Sequence, residues 1–205
     1  MPHTRKEKIL GAATYLFSSK GYKNTSVSDV SELTGVANST IFYHFKNKED
    51  LFLHILKAVK DDILKEYDDH LRGKSFRDGL DMAEQAIHFY FELVGCMEEK
   101  FLLLHRHYPY QLAEENSECR GYLEDIYNCL VDIFEQAILK GQKDGSIADL
   151  PARKNAYLIL SMIEGLVGFK VNNLYNIGSL YTELIEACRR MLQPKTKTPK
   201  RETDD

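Results

Sequence analysis

Short polar side chains concentrated around residues 37–44 are the first candidates for chemistry in this sequence of 205 residues. On a helix that begins near Asn38, the outward positions are predicted to be Ala37, Asn38, Ser39, Thr40, Tyr43 and His44. These side chains are short or form hydrogen bonds, which suits close approach to base edges and phosphates. The segment therefore favours contact with a nucleic-acid duplex.

Residues 26–45 have the features of a helix-turn-helix, in which two short helices cross steeply over a tight turn. Ser26 with Asp29 forms a capping-box pattern at the start of the first helix. Ser31 is small enough for the crossing, and Gly35 tolerates a positive φ at the turn. The predicted inward-facing anchors are Val27, Val30, Leu33, Val36, Ile41 and Phe45. Phe42 is interpreted as packing either in the core or at its edge.

Two further helices complete the amino-terminal part of the chain. Thr4 is predicted to cap a helix that ends near Gly21 and carries one apolar stripe, formed by Ile9, Ala12, Ala13, Leu16 and Phe17. Asn47, with Asp50 at the third helical position, is predicted to cap a longer helix that runs to about Leu71. This helix would join the helix-turn-helix to the rest of the protein.

The remainder of the chain also reads as helix, with no run of alternating polar and apolar residues long enough for a strand. We expect a break at Gly95, an interruption at Pro109 and a first turn at Pro151. The predicted helices cover residues 76–94, 98–108, 117–140, 151–175 and 178–192. The fold class is therefore all-α: a helix-turn-helix head over residues 1–62, a larger helical body over 63–192, and a tail over 193–205 that we expect to be disordered.

Charge is unevenly distributed along the chain. Residues 1–60 contain nine Lys and Arg against five Asp and Glu, whereas the whole chain has a net charge of −4. A basic head on an acidic body fits a module that binds a polyanion with one end only. No apolar run long enough to span a membrane and no signal peptide is found, so a cytoplasmic location is expected.

Metal, redox and enzymatic sites are not indicated. The four cysteines, Cys96, Cys119, Cys129 and Cys188, match no zinc, redox or disulfide spacing. His105 and His107 are two positions apart on a helix and point to different sides, so they are not expected to share a metal. The motifs of hydrolases, nucleotide-binding enzymes and metalloproteases are absent from the sequence. We predict no metal, no cofactor and no enzymatic activity.

From Ile9 to Leu51 the sequence resembles the TetR family of bacterial regulators. The resemblance rests on Gly21-Tyr22, Thr25-Ser26-Val27, Thr34-Gly35-Val36, the segment Thr40 to Phe45, and Lys48 to Leu51. It implies that Val27, Ser28, Ala37, Asn38, Ser39 and Thr40 contact DNA in the major groove, and that Tyr43, His44 and Lys48 hold phosphates. Phe42, Ser39 and Asn38 depart from residues that are frequent in the family, which leaves the operator sequence open.

Two of these residues have alternative interpretations. Tyr43 either contacts a phosphate or covers the hydrophobic core of the head. His44 is either a DNA contact or a partly buried, hydrogen-bonded histidine.

For the body, the resemblance implies a pocket for a small effector and a homodimer formed through the last two long helices. Apolar residues on these helices suit such pairing, and Gly165 and Gly168 would allow close approach. The candidate ligand contacts are His88, Phe101, His105, Tyr108, Tyr127 and Glu164. Ordinary core packing is the alternative for each aromatic residue among them.

The resulting hypothesis is a regulator that responds to a ligand. It would repress transcription from a near-palindromic operator until a small hydrophobic or aromatic effector binds the body. A helical scaffold or adaptor without specific DNA binding is the competing hypothesis.

Overall fold

The computed structural model describes residues 4–72 and 74–194, which form ten α-helices and no strand. The helices are α1 (Arg5–Ser19), α2 (Val27–Thr34), α3 (Asn38–His44), α4 (Lys48–Leu71), α5 (Gly79–Cys96), α6 (Glu98–Leu104), α7 (His107–Glu115), α8 (Ser117–Asp144), α9 (Ala152–Val171) and α10 (Leu180–Leu192). The all-α prediction is confirmed. No helix in these ranges is long and apolar enough to cross a membrane. Most of the predicted tail, residues 195–205, lies outside the described part of the chain.

The predicted helix starts in the head are confirmed by hydrogen bonds. The Thr4 hydroxyl accepts from the backbone N–H of Glu7, whose carboxylate accepts from the Thr4 N–H in return. Ser26 and Asp29 form the same reciprocal pair at α2, and the Asn47 side chain accepts from the Asp50 N–H at α4. These caps pair backbone donors that the first helical turns cannot pair themselves.

The turn of the helix-turn-helix is left-handed at Gly35, with φ of 68°. One predicted anchor is wrong, because Leu33 is 53% exposed. Val30 and Thr34 are both buried, and the Thr34 hydroxyl donates to the Val30 carbonyl, four residues earlier on the same side of α2. Leu33 lies about 100° around the helix from Thr34 and therefore faces outward.

Helix α4 connects the two parts of the molecule. Its first half buries Leu51, Phe52, Ile55 and Val59, and its second half buries Ile63 and Tyr67. It packs against α1 in the head and against α5 and α8 in the body. The sequence-based boundary near residue 62 falls inside this continuous helix and stays a prediction.

Several predicted boundaries in the body are wrong. Gly95 lies inside α5, and the break comes at Met97. Pro109 does not interrupt a helix but occupies the first turn of α7, where a missing N–H costs little. Pro151 precedes α9 as its cap, and α9 ends at Val171, before the predicted Tyr175.

Helices α5 and α8 approach each other most closely at two glycines. A Cβ added at Gly79 would lie 2.0 Å from the backbone nitrogen of Gly141. The Gly79 N–H donates to Asp144 Oδ2 at 2.8 Å, and the Leu80 N–H donates to Ser146 Oγ at 3.1 Å. The start of α5 is thus capped by the end of α8, at a distance that only glycine allows.

We therefore expect Gly79→Ala to lower the free energy of unfolding by about 2–3 kcal/mol, because a backbone atom cannot move aside as a flexible side chain can. Gly95→Ala is the matched control, since a Cβ at this position in the same helix has no atom within 4 Å. It should raise stability by ~0.5–1 kcal/mol through helix propensity. Denaturant unfolding measures both changes, and equal effects of the two variants would contradict the packing argument.

Candidate functional site

Helix α3 buries one side and exposes the other. Ile41 and Phe45 are each 1% exposed and anchor the helix on the head core. Tyr43 is 84% exposed, so it does not cover that core. The remaining predicted positions lie as follows: Ala37, Asn38 and Ser39 are exposed, and Thr40 and His44 are half-buried. The polar side of α3 is therefore presented outward, as a helix that enters a groove requires.

The start of α2 lies beside the start of α3. The Asn38 side-chain amide donates to the Ser28 hydroxyl at 3.3 Å. Ser28 is exposed and Val27 is half-buried. The contact brings the predicted DNA-contacting residues of both helices onto one surface.

Phe42 belongs to the same surface, and its interpretation as a core residue was wrong. It is 51% exposed and lies one helical turn after Asn38. An exposed aromatic ring on this flank can contact a thymine methyl group. The exposure of Phe42 could have been predicted from the helical period, because the residue that follows the buried Ile41 is rotated by about 100° away from the core.

Lys48 has a structural contact that the sequence did not indicate. Its ammonium donates to the carbonyls of Tyr22 at 3.0 Å and Thr25 at 2.9 Å, and lies 4.2 Å from the centroid of the Tyr22 ring. Burial lowers the pKa of this ammonium. Lys48 thus ties the segment between α1 and α2 to the start of α4. The phosphate contact suggested for it stays a prediction, for which one of its three N–H donors remains.

The six predicted ligand contacts lie in four separate places. Tyr108 stacks on Tyr22 of the head, with ring centroids 3.7 Å apart. His88 contacts the Tyr181 hydroxyl, beside a cavity of about 550 Å³ that Phe91 and Tyr181 help to line. Tyr127 lies in an open groove of about 540 Å³ between α7, α8 and α9. The other three residues form a cluster inside the body.

That cluster consists of Phe101, His105 and Glu164, joined by Tyr90. The Tyr90 hydroxyl donates to Glu164 Oε1, and the Tyr90 and Phe101 rings meet edge to face at 5.6 Å. His105 Nε2 lies 3.2 Å from Glu164 Oε2. Burial raises the pKa of the Glu164 carboxyl to about 7. A single ionisable carboxyl is thus held among aromatic rings.

The protonation of Glu164 affects which polar groups of this cluster can form hydrogen bonds. His105 Nδ1 lies 2.8 Å from the Phe101 carbonyl, to which an N–H there would donate. Nε2 would then be an acceptor, and among the described residues it has no hydrogen bond to a carboxylate-form Glu164. A protonated Glu164 can donate its O–H to this nitrogen. The 3.2 Å contact between His105 and Glu164 therefore needs one proton, carried either by the carboxyl or by the imidazole.

Comparison with known proteins agrees with this geometry. The family model "Bacterial regulatory proteins, tetR family" matches residues 9–55. The HTH-type transcriptional regulator QacR of Staphylococcus aureus is 45% identical over 168 residues, which cover 80% of this chain and 85% of that protein. The fatty acid metabolism regulator protein of Bacillus subtilis is 23% identical over 182 residues, or 87% and 91% of the two chains.

Solved structures show the same fold over nearly the whole chain. A putative transcriptional regulator from Saccharomonospora viridis, crystallised with choline, gives a TM-score of 0.74 at 21% identity and covers 93% of this chain and 98% of that one. FadR from Bacillus subtilis, in complex with stearoyl-CoA, gives 0.71 at 23% identity and covers 88% and 96%.

The exposure of Tyr43 leads to a direct test of the α3 surface. Tyr43→Ala should lower DNA affinity at least about tenfold, because the predicted phosphate contact would lose its charged hydrogen bond. It should change the free energy of unfolding by less than ~0.5 kcal/mol, since the side chain is outside the core. Tyr15→Ala, at an exposed tyrosine on α1, is the control and should leave affinity unchanged. If Tyr43→Ala and Tyr15→Ala lowered DNA affinity equally, Tyr43 would not be a specific DNA contact.

The raised pKa of Glu164 predicts a pH-dependent stability. The folded state holds this proton more tightly than the unfolded chain, so the stability is fully present below the ordinary pKa of 4.5 and is lost as pH rises through about 7. Glu164→Gln keeps a neutral acceptor for Tyr90 and a donor for His105. The melting temperature of the wild type should therefore fall more between about pH 5 and pH 8 than that of the variant. Glu183→Gln, on the exposed face of α10, should follow the wild type, and parallel profiles for all three proteins would refute the assignment.

Proposed function

We propose, since this chain belongs to the TetR family of bacterial transcriptional regulators, that it is a homodimeric repressor released from its operator by a small effector. The outward polar face of α3, held by the burial of Ile41 and Phe45, is the observation that carries the proposal. In this proposal α3 enters the major groove, with Ser28 and Asn38 at base edges and Tyr43 and His44 at phosphates. Exposed lysines such as Lys23 and Lys46 add attraction to the DNA backbone.

The exposed face of α9 supports the homodimer. Ile159, Ile163 and Val167 pack inside the body, so they are not available for an interface with a second copy. What remains outside is a stripe, defined by Leu158, Ser161, Met162, Gly165 and Phe169, at helical spacing. A Cβ at Gly165 would meet no atom within 4 Å, which leaves room for a second helix. Pairing α9 and α10 with their copies would bury this stripe in a four-helix bundle.

A dimer of this kind determines the symmetry of the operator. Two heads related by a two-fold axis read two half-sites of opposite direction, so the operator would be near-palindromic. The half-site separation would equal the distance between the two α3 helices, which is one helical turn of DNA or a multiple of it.

The cluster of Tyr90, Phe101, His105 and Glu164 is our candidate for effector recognition, and an effector would have to part its helices to enter, because Tyr90 and Phe101 are each 1% exposed. Its aromatic rings suit a small hydrophobic or aromatic molecule, and its carboxyl and imidazole can orient one polar group. Similar folds hold ligands as different as stearoyl-CoA and choline, which supports a small-molecule role for the body without identifying the molecule. Release requires that the effector bind the DNA-free arrangement of the heads more tightly, by typically about 1–3 kcal/mol. In the proposed mechanism, effector binding moves α4 and changes the separation of the heads.

The decisive experiment is selection of bound fragments from the native genome, followed by affinity measurements over a range of salt concentrations. We expect a near-palindromic site bound ~10³-fold or more tightly than random duplex, with affinity that falls as salt rises. No preference for any fragment at moderate salt would refute the proposal and favour a helical scaffold or adaptor.

The homodimer is tested separately by placing a charge on the α9 stripe. Leu158→Glu should weaken self-association at least about a hundredfold, because the interface would bury an unpaired carboxylate. Leu33→Glu is the matched control, since Leu33 is 53% exposed, Leu158 is 54% exposed, and Leu33 lies in the head. Sedimentation of both variants against the wild type gives the answer, and an unaltered dimer of Leu158→Glu would exclude α9 from the interface.

A further inference from the structure

The two residues that join α6 and α7, His105 and Arg106, face opposite parts of the molecule. Arg106 extends to the head, where its Nε and Nη2 donate to the Ser18 carbonyl at 3.0 and 2.6 Å. Nη2 also donates to the Ser19 carbonyl at 3.2 Å. One guanidinium of the body is therefore fixed on the last two residues of α1.

The end of α1 needs such a partner. The last carbonyls of a helix have no donor within the helix, and a cation there also complements the helix dipole. The last turn of α1 contains no basic residue. The Lys20 N–H and the Thr25 hydroxyl both donate to the Leu16 carbonyl, which is further back along the helix. Arg106 supplies a positive charge and three hydrogen bonds at the Ser18 and Ser19 carbonyls.

A second contact, made by the first turn of α7, lies next to the Arg106 contact. Tyr108, two residues after Arg106, stacks on Tyr22 with an interplanar angle of 8°. It also meets Phe52 edge to face at 5.1 Å. Tyr22 follows α1 closely in sequence, and Lys48 holds it from the other side. The Arg106 contact alone would let the head rotate about it. The Tyr108 stack adds a second contact, and the two together define the orientation of the head.

The opposite side of the joint contacts α9. His105 Nε2 lies 3.2 Å from Glu164 Oε2. A Cβ at Gly168 would lie 3.9 Å from the His105 ring, so the imidazole is packed along α9. Glu164 directly precedes Gly165 of the exposed α9 stripe. Two consecutive residues thus connect the helix proposed to form the dimer with the first helix of the head.

We propose that Arg106 is a positioning residue, which fixes the angle between the head and α9 and thereby determines the half-site spacing that the dimer accepts. This inference rests on the proposed DNA binding and dimerisation. Helix α4 joins head and body covalently, and α1 also packs against α6. The Arg106 contact adds a polar attachment at the end of α1, and the Tyr108 stack attaches α7 to Tyr22 and to Phe52 of α4. Together these contacts limit the tilt of the head relative to the body.

The test measures spacing preference and needs no effector. Duplexes carry the selected operator, the same operator with its half-sites moved by one or two base pairs in either direction, or a single half-site. The wild type should prefer the selected spacing, and Arg106→Ala should reduce that preference roughly three- to tenfold, as expected for lost charged hydrogen bonds. Its affinity for the single half-site should stay at the wild-type value, because the α3 surface is untouched.

Arg189→Ala is the matched control, because Arg189 lies on the side of α10 that contacts α5 rather than on the α9 stripe. Arg189 donates to Glu84 at 2.6 and 2.9 Å and to Glu186 at 2.6 Å, so it loses a comparable set of contacts within the body. It should keep the wild-type spacing preference, even where its melting temperature falls. Arg106→Lys should lie between the wild type and the alanine variant, because one ammonium cannot reproduce the two-point contact.

The outcomes separate this inference from the proposed function. A wild type without operator preference overturns the proposed function itself. An operator-binding wild type with unchanged spacing preference in Arg106→Ala overturns only the positioning role. Loss of single half-site affinity in that variant would assign Arg106 to folding of the head instead. If Arg106→Ala does not fold, the spacing preference of Tyr108→Leu is measured instead. Loss of the stack on Tyr22 should broaden that preference in the same way, and an unchanged preference would overturn the positioning role.

Discussion

The head depends on one constraint, which is that backbone groups at helix ends and in the connecting segments must find partners outside their own helix. Helices α2 and α3 have eight and seven residues, so a large share of their backbone groups has no partner within the helix. Side-chain caps serve the amino-terminal ends of α1 and α2. Cations from other segments serve carbonyls: Lys8 donates to Thr34, Lys48 to Tyr22 and Thr25, and Arg106 to Ser18 and Ser19. These contacts hold the frame in which α3 presents its polar face.

The same contacts link DNA recognition to the body. Lys48 lies near α3 in sequence yet holds Tyr22, and Tyr22 in turn stacks on Tyr108 of α7. A movement of α7 would therefore displace Tyr22 and, through it, the contacts at the start of α4. Because close-packed groups change between discrete arrangements rather than deform smoothly, a small shift in the body can become a change in head orientation.

The body carries its polar chemistry at a point where three helices meet. Tyr90 on α5, His105 after α6 and Glu164 on α9 contact one another among apolar side chains. Burial makes the charged form of Glu164 costly, so this position favours either a proton or a ligand that compensates the charge. Glu164 lies next to both the α9 stripe and His105, which precedes Arg106. This position is the reason why we propose the cluster for effector recognition.

The sequence alone determined the features that depend on neighbours within four residues. The caps at Thr4, Ser26 and Asn47 and the left-handed turn at Gly35 follow from local hydrogen bonds and backbone preference, and all of them are confirmed. Tertiary structure decided the rest. Whether Thr34 or Leu33 faced the core, and where Lys48 and Arg106 found their carbonyls, depended on how helices distant in sequence pack together. Contacts of this kind produce no periodic pattern in the sequence. Each partner taken alone is a polar residue that could equally well point into solvent.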